Sequence, residues 1–150
     1  MLKLLRTTSS NPDFINLVGQ LDADLEYRDG DDHEFYAQFN HIDIIKYTLV
    51  AYLNNKLVGC GAIKPFNAQS MEVKRMYTTP EFRGQGIAIK ILNELESWTK
   101  ELGFDSCVLE TGKKQPEAIA LYKKCGYIVI SNYGQYAQIE NSVCFRKQLN

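Results

Sequence analysis

The patterns that bind metals or form disulfides are missing from this 150-residue chain. Its four cysteines, Cys60, Cys107, Cys125 and Cys144, are widely scattered, with no Cys-x-x-Cys pair and no neighbouring histidine. Neither a zinc site nor a disulfide framework is indicated, and the cysteines read as small core residues. The two histidines, His33 and His41, sit in an acidic stretch and are assigned no role. No uninterrupted apolar run approaches membrane-spanning length, and Met1 to Arg6 lacks the apolar stretch of a signal peptide, so a cytoplasmic protein is expected. Charge of one sign is not in excess either. Seventeen Lys and Arg against eighteen Asp and Glu leave a formal net charge of -1, which gives no general pull toward nucleic acid or anionic lipid. No internal repeat, low-complexity tract or linker interrupts the chain, and its length suits one domain spanning residues 1–150 with a real core.

What is present is an alternation of strand and helix signals. Lys3 to Thr8 reads as a first strand. Asn11 offers an N-cap and Pro12 a first-turn residue for a helix whose apolar face is Phe14, Val18, Leu21 and Leu25, broken at Arg28 to Asp32. Asp32 can cap a second short helix carrying Phe35, Tyr36 and Phe39 on one side. Ile44 to Leu53 and Lys56 to Lys64 read as two strands joined at Asn54-Asn55, residues that tolerate the positive φ of a tight hairpin, and Pro65 ends the pairing. Met71 to Thr78 is the next strand. Ile87, Ile91, Leu95, Trp98 and Leu102 recur at helical spacing up to a C-cap at Gly103. Asp105 to Thr111 is a further strand, and Pro116 opens a helix with Ala118, Leu121, Tyr122 and Cys125 on one face, closed by Gly126. Tyr127 to Asn132 and Ser142 to Gln148 are the last strands, separated by a polar and aromatic loop over 133–141.

Between the strand ending near Thr79 and the helix running to Leu102 lies Arg83-Gly84-Gln85-Gly86-Ile87-Ala88. Glycines at 84 and 86 let the backbone take conformations closed to other residues, so successive NH groups can point into one concavity at a helix N-terminus. Such a concavity suits a phosphate or pyrophosphate. A Walker loop would need a closing Gly-Lys-Ser or Gly-Lys-Thr, which is absent and counts against nucleotide-dependent phosphoryl transfer. A dinucleotide fingerprint would need Gly or Ala where Ile89 stands.

Met71-Glu72-Val73-Lys74-Arg75-Met76-Tyr77-Thr78 followed by Pro80-Glu81-Phe82-Arg83-Gly84-Gln85-Gly86-Ile87-Ala88 resembles the acyl-CoA-binding core of the GNAT N-acetyltransferase superfamily. The signature is Arg or Gln, two residues, Gly, one residue, then Gly or Ala; Arg83, Gly86 and Ala88 satisfy it. A second match is Ala118-Ile119-Ala120-Leu121-Tyr122-Lys123-Lys124-Cys125-Gly126-Tyr127. The resemblance implies an α/β (α+β) fold: a mixed, mostly antiparallel seven-stranded sheet flanked by helices and splayed between its fourth and fifth strands. It also implies acetyl transfer from acetyl-CoA, with no metal, to a primary amine borne by a small molecule or a peptide. A homodimer is a common state among similar proteins. A non-catalytic acyl-CoA-binding or sensory module is the alternative reading of the same loop.

Carried over residue by residue, the resemblance gives Gly84, Gln85, Gly86, Ile87 and Ala88 the CoA pyrophosphate through their backbone NH groups, with Arg83 adding positive charge. The strand from Met76 through Tyr77 to Thr78 would take the pantetheine arm through main-chain groups, the Met76 NH polarising the thioester carbonyl. Gln115 stands where similar proteins often have Asn against the pantetheine. Tyr122 matches the tyrosine that protonates the departing thiolate; the plainer reading is a Tyr that packs its ring and wets its hydroxyl. Glu72 is the first candidate for the base that deprotonates the amine, and Glu110 the second. For Glu72 a plain pairing with Lys74 or Lys56 stands beside the catalytic reading, as does deprotonation through water. Asp13, Asp22, Asp24, Glu26, Asp29, Asp31, Asp32, Glu34 and Asp43 make the segment before the first hairpin acidic, either as a wall that attracts a cationic acceptor or as a solvated helix face. Tyr133, Gln135 and Tyr136 either shape the acceptor pocket or belong to an ordinary polar loop.

Overall fold

The computed structural model describes residues 1–29 and 44–150. In chain order the elements are β1 (Leu2–Thr7), α1 (Pro12–Asp29), β2 (Tyr47–Leu53), β3 (Lys56–Pro65), β4 (Ser70–Thr78), α2 (Ile87–Glu101), β5 (Ser106–Gly112), α3 (Pro116–Lys124), β6 (Ile128–Ile130) and β7 (Ser142–Gln148). The second helix expected after Asp32 lies outside the described residues.

The local chemistry explains several boundaries. The Asn11 side chain accepts hydrogen bonds from the backbone NH groups of Asp13, at 2.9 Å, and Phe14, at 3.2 Å, capping α1. Asn54 and Asn55 take φ values of 50° and 69°, the paired positive angles of a two-residue hairpin turn between β2 and β3. Two boundaries differ from expectation. β2 starts at Tyr47 rather than Ile44, because Ile45 is occupied with Ser9: its NH donates to the Ser9 hydroxyl at 2.8 Å and its carbonyl accepts from the Ser9 NH at 2.9 Å. β6 covers three residues rather than Tyr127 to Asn132. Tyr127 turns its hydroxyl inward to Glu96, and the Asn132 side chain donates to the carbonyls of Ile139 and Ser142, closing the loop.

The sheet is seven-stranded in the order β1-β2-β3-β4-β5-β7-β6. All neighbours are antiparallel except β4 and β5. That parallel pair holds only at Ser70↔Ser106, Met71↔Cys107 and Glu72↔Val108, although β4 continues to Thr78 and β5 to Gly112. Beyond Glu72 the two strands part, which is the splay anticipated between the fourth and fifth strands.

Each face of the sheet has its own core. α2 buries Ile87, Ile91, Leu92 and Leu95 against Val58, Ile63, Met71, Val73, Cys107, Leu109 and Phe145. On the opposite face α1 buries Phe14, Leu17, Val18 and Leu21 against Val50, Cys60, Ala62 and Tyr77. The close seat of α2 depends on a missing side chain in β3. A Cβ on Gly61 would lie 2.7 Å from Met76 Sδ and 2.9 Å from Leu95 Cδ1. No helix among the described residues is long and apolar enough to cross a membrane.

Candidate active site

Alternation along β4 is broken once. The register with β3 passes from Ala62↔Lys74 to Cys60↔Tyr77, so Arg75 and Met76 together stand opposite Gly61 alone. Arg75 has φ 60°, the left-handed conformation of a bulged residue. The bulge lies beyond the last β4–β5 pair, where the strands have already separated. On the N-terminal side of the bulge, Glu72 and Lys74 share the α1 face of the sheet with Ala62, and Val73 is turned toward α2. Arg75 also points toward α1, where its Nη1 meets Asp22 Oδ1 at 3.2 Å.

Downstream, Thr79 leads into one tight turn over Pro80–Phe82 and then into the glycine loop. Gly84 and Gly86 have φ of 79° and 80°, and Gly86 is the N-cap of α2 with no side chain capping it. The first NH groups of α2 therefore face outward without partners inside the helix. A Cβ added at Gly84 or Gly86 would meet nothing within 4 Å, so open space lies in front of this backbone. Arg83 is tied alongside: its Nε donates to the Thr78 carbonyl at 2.9 Å and its guanidinium lies 5.4 Å from the centre of the Tyr77 ring.

Two cavities open along the splay. The larger, about 540 Å³, runs from Met76, Tyr77 and Thr78 past Phe82, Arg83, Gly84, Gly86, Ile87 and Ala88 to the facing side of α3. Gln85 is exposed on the same loop and does not line it. Arg28, held by Asp24 at 3.3 Å, reaches from α1 to Glu117 at the start of α3 and so ties the two helices together beside this cavity. The smaller, about 120 Å³, is bounded by Glu72, Lys74, Arg75, Glu110, Thr111, Tyr136 and the α1 residues Leu21 and Leu25. The same five residues, Leu21, Met76, Gln115, Ala118 and Tyr122, line both.

The groups at this junction are shaped by burial. Tyr122 is 7 % exposed, its ring 5.8 Å from that of Tyr127 and 6.0 Å from that of Phe145. Burial, with smaller contributions from Cys125 and Glu110, raises its hydroxyl pKa well above the usual tyrosine value. Glu72 is 6 % exposed and accepts a 2.8 Å hydrogen bond from the Tyr133 hydroxyl, rather than pairing with Lys74 or Lys56. Burial and then the Glu72 charge raise the Tyr133 pKa, so its proton stays on the donor. Tyr133 is fixed by ring contacts to Phe66 at 4.7 Å and Tyr136 at 6.1 Å. The loop over 133–141 is therefore folded against the sheet, with Tyr136 buried. Burial also lowers the Lys74 pKa, partly opposed by the Glu72 charge.

Of the residues singled out from sequence for the donor, the base or the acid, Glu72, Met76, Tyr77, Thr78, Arg83, Gly84, Gly86, Ile87, Ala88, Glu110, Gln115 and Tyr122 line one or both cavities and Gln85 sits on the glycine loop, whereas Tyr136 lines the smaller cavity and Tyr133 and Gln135 line neither. Sequence reasoning did not single out Leu21, Leu25, Thr111, Lys74 or the Arg75–Asp22 pair as part of the site. For Lys74 a signal existed, since it is two residues from Glu72 on one strand. For the bulge at Arg75 there was none.

A sequence model of the acetyltransferase (GNAT) family matches residues 15–127. The chain belongs to this family. Among curated relatives, the uncharacterized N-acetyltransferase YjgM of Escherichia coli (strain K12) is 32% identical over 135 residues, covering 81% of this chain and 78% of YjgM. The IAA acetyltransferase of Azospirillum brasilense is 36% identical over 102 residues, 67% of each chain. A Klebsiella pneumoniae protein assigned as an acyl-CoA N-acyltransferase superposes with a TM-score of 0.83 at 30% identity, covering 100% of this chain and 99% of that one. The PaiA N-acetyltransferase of Thermoplasma acidophilum, solved with coenzyme A, has the same fold at 19% identity, with a TM-score of 0.72 over 99% of each chain. This GNAT is thus an acetyl-CoA-dependent acyltransferase.

Proposed function

We propose that this GNAT transfers the acetyl group of acetyl-CoA to a primary amine by direct attack within a ternary complex. The observation that carries the proposal is the junction of the two cavities at Met76, Gln115, Ala118 and Tyr122. It gives donor and acceptor separate approaches and one meeting place. Among the described residues lining both cavities there is neither cysteine nor serine, the usual carriers of an acyl group.

In this reading the glycine loop holds the donor. The NH groups of Gly84 through Ala88 take the pyrophosphate at the start of α2, where the open space before Gly84 and Gly86 fits it, and Arg83 adds charge. Met76 and Thr78, on the stretch of β4 that has left β5, pair with the pantetheine arm, and the Gln115 amide meets it from α3. The Met76 NH, carried on the bulge, stabilises the negative charge that develops on the carbonyl oxygen.

An amine arrives as an ammonium with a pKa of about 10. Glu72 removes its proton, with Glu110 on the opposite wall as the second candidate. The nitrogen–carbon bond then forms, the carbon–sulfur bond breaks, and Tyr122 gives its proton to the leaving sulfur. The second nitrogen proton passes to solvent and Tyr122 is reprotonated, so one proton is released for each acetyl group moved. A tyrosine whose pKa is raised by burial suits this role, because it is protonated whenever the thiolate leaves.

Initial rates of thiol release, with acetyl-CoA and an accepted amine both varied, test the proposal. Intersecting reciprocal plots are expected. Parallel plots, with acetyl retained on the protein in the absence of amine, would overturn direct attack.

A further inference from the structure

The smaller cavity carries both signs of charge. Arg75 is 4 % exposed at its side chain and meets Asp22. Glu72 and Glu110 are carboxylates on the two separated strands, facing one space. Lys74, on the same wall as Glu72, makes no hydrogen bond or ion pair with the described residues. Its half-buried ammonium feels the Glu72 and Glu110 charges without an ion pair to either, and burial outweighs them and lowers its pKa. Leu21, Leu25 and Tyr136 also line this cavity of about 120 Å³, so a small ligand seated in it lies against both apolar and charged groups.

Building on the acetyl-transfer reading above, we infer that the acceptor is a small amine that also carries a carboxylate, of the α-amino acid type. Its ammonium faces Glu72 and Glu110, and its carboxylate meets Lys74. The acceptor carboxylate gives the Lys74 ammonium a charge-assisted hydrogen bond, and the two glutamate charges select the end of the acceptor that bears nitrogen. A diamine or an amine without an acid group would leave Lys74 unmatched and, in the case of a diamine, place a second cation beside it. A charge left without its partner, or set beside a like charge, is a ground on which a pocket rejects a ligand. The apolar wall of Leu21 and Leu25 favours an aliphatic side chain on the acceptor. The reaction is the transfer already described: one nitrogen–carbon bond forms, one carbon–sulfur bond breaks, sulfur gains a proton and one proton goes to solvent.

Matched pairs of acceptors that differ only in the carboxylate test this: L-methionine with 3-(methylthio)propylamine, and L-leucine with 3-methylbutylamine. In wild-type protein, kcat/KM should favour the amino acid of each pair by at least about 10-fold, the least expected of one charge-assisted contact. Lys74→Met should collapse that ratio toward unity, mainly through KM, and Lys74→Arg should restore part of it. Equal or faster acetylation of the decarboxylated amines, or of lysine within an end-blocked peptide, would overturn the inference while leaving the acetyltransferase reading intact. So would equal slowing of both members of a pair by Lys74→Met. CoA binding by calorimetry, run alongside, separates the two levels. Bound CoA with no turnover of either pair refutes the acceptor class, and absence of CoA binding refutes the reading beneath it.

Discussion

The Tyr133 hydroxyl donates to Glu72 across 2.8 Å, joining a loop near the C-terminus to a carboxylate 61 residues earlier in the chain. Glu72 is thereby held in one orientation at the mouth of the splay. Tyr133→Phe should lower kcat about 10-fold if Glu72 is the base, a loss in line with one hydrogen bond to a charged group. Glu72→Gln should cost more. The double variant should be no slower than Glu72→Gln alone, because Tyr133 acts through Glu72. Additive losses would show that Tyr133 contributes independently.

Glu72→Gln also carries a pH signature. An amine ammonium needs a base only while it is protonated, so the deficit should be greatest at low pH and shrink as pH approaches the amine's own pKa of about 10. The profile of kcat/KM against pH for wild type and variant checks it. A deficit constant across pH would move the role to Glu110 or to water.

Tyr122→Phe should reduce kcat about 10- to 100-fold with CoA affinity unchanged, the low end of what general acid catalysis contributes, because a thiolate is already a fair leaving group. Since burial raises the Tyr122 pKa, its proton is retained as pH rises past the ordinary tyrosine value of 10.0, and wild type should show no loss of the acid form below it. An alkaline limb in wild type that disappears in Tyr122→Phe at pH 8 to 9 would contradict the burial described.

Gly86→Val should abolish measurable CoA binding. The φ of 80° is strained for a branched residue by about 1–3 kcal/mol, and the new Cβ enters the open space before the loop. Calorimetry reads the binding and thermal unfolding confirms a folded protein. Unchanged affinity in folded Gly86→Val would remove the pyrophosphate from this loop.

Cys60, fully buried with its thiol donating to the Arg75 carbonyl at 3.3 Å, has its pKa raised by burial from 9.0 to about 12. Between those values the unfolded chain has lost the proton that the folded chain keeps, so the unfolded state binds fewer protons and stability falls as pH rises. Below pH 9 the contribution is complete. Urea unfolding of wild type and Cys60→Ala should show stabilities that converge from pH 9 upward, at a slope of up to about 1.4 kcal/mol per pH unit. Parallel curves would mean that the thiol ionises in the folded protein.

Much of this was legible in the sequence, for reasons that differ by element. Asn11, the Asn54-Asn55 turn and Gly86 carry local conformational signals, and each appears in the structure with the backbone geometry its chemistry favours. The apolar face of α2 follows from helical spacing. Leu17 was passed over because the face of α1 was read as narrower than it is, and in the structure it is fully buried. The two cavities could be located only through the resemblance, since splaying is a relation between strands that no single strand encodes. The bulge at Arg75 has no glycine to announce it. The inward turn of Tyr133 depends on Phe66 and Glu72, which are remote in sequence.

The bulge in β4 divides one strand into two kinds of surface. Before it, Glu72 and Lys74 line the smaller cavity; from Met76 onward, the strand lines the larger one. On the proposed assignment, substitution at 72 or 74 would change what the acceptor cavity recognises, while a donor contact made through peptide groups that every residue but proline supplies would stay the same. On that assignment the nine consecutive residues from Ser70 to Thr78 would serve acceptor choice and donor use through different chemical groups.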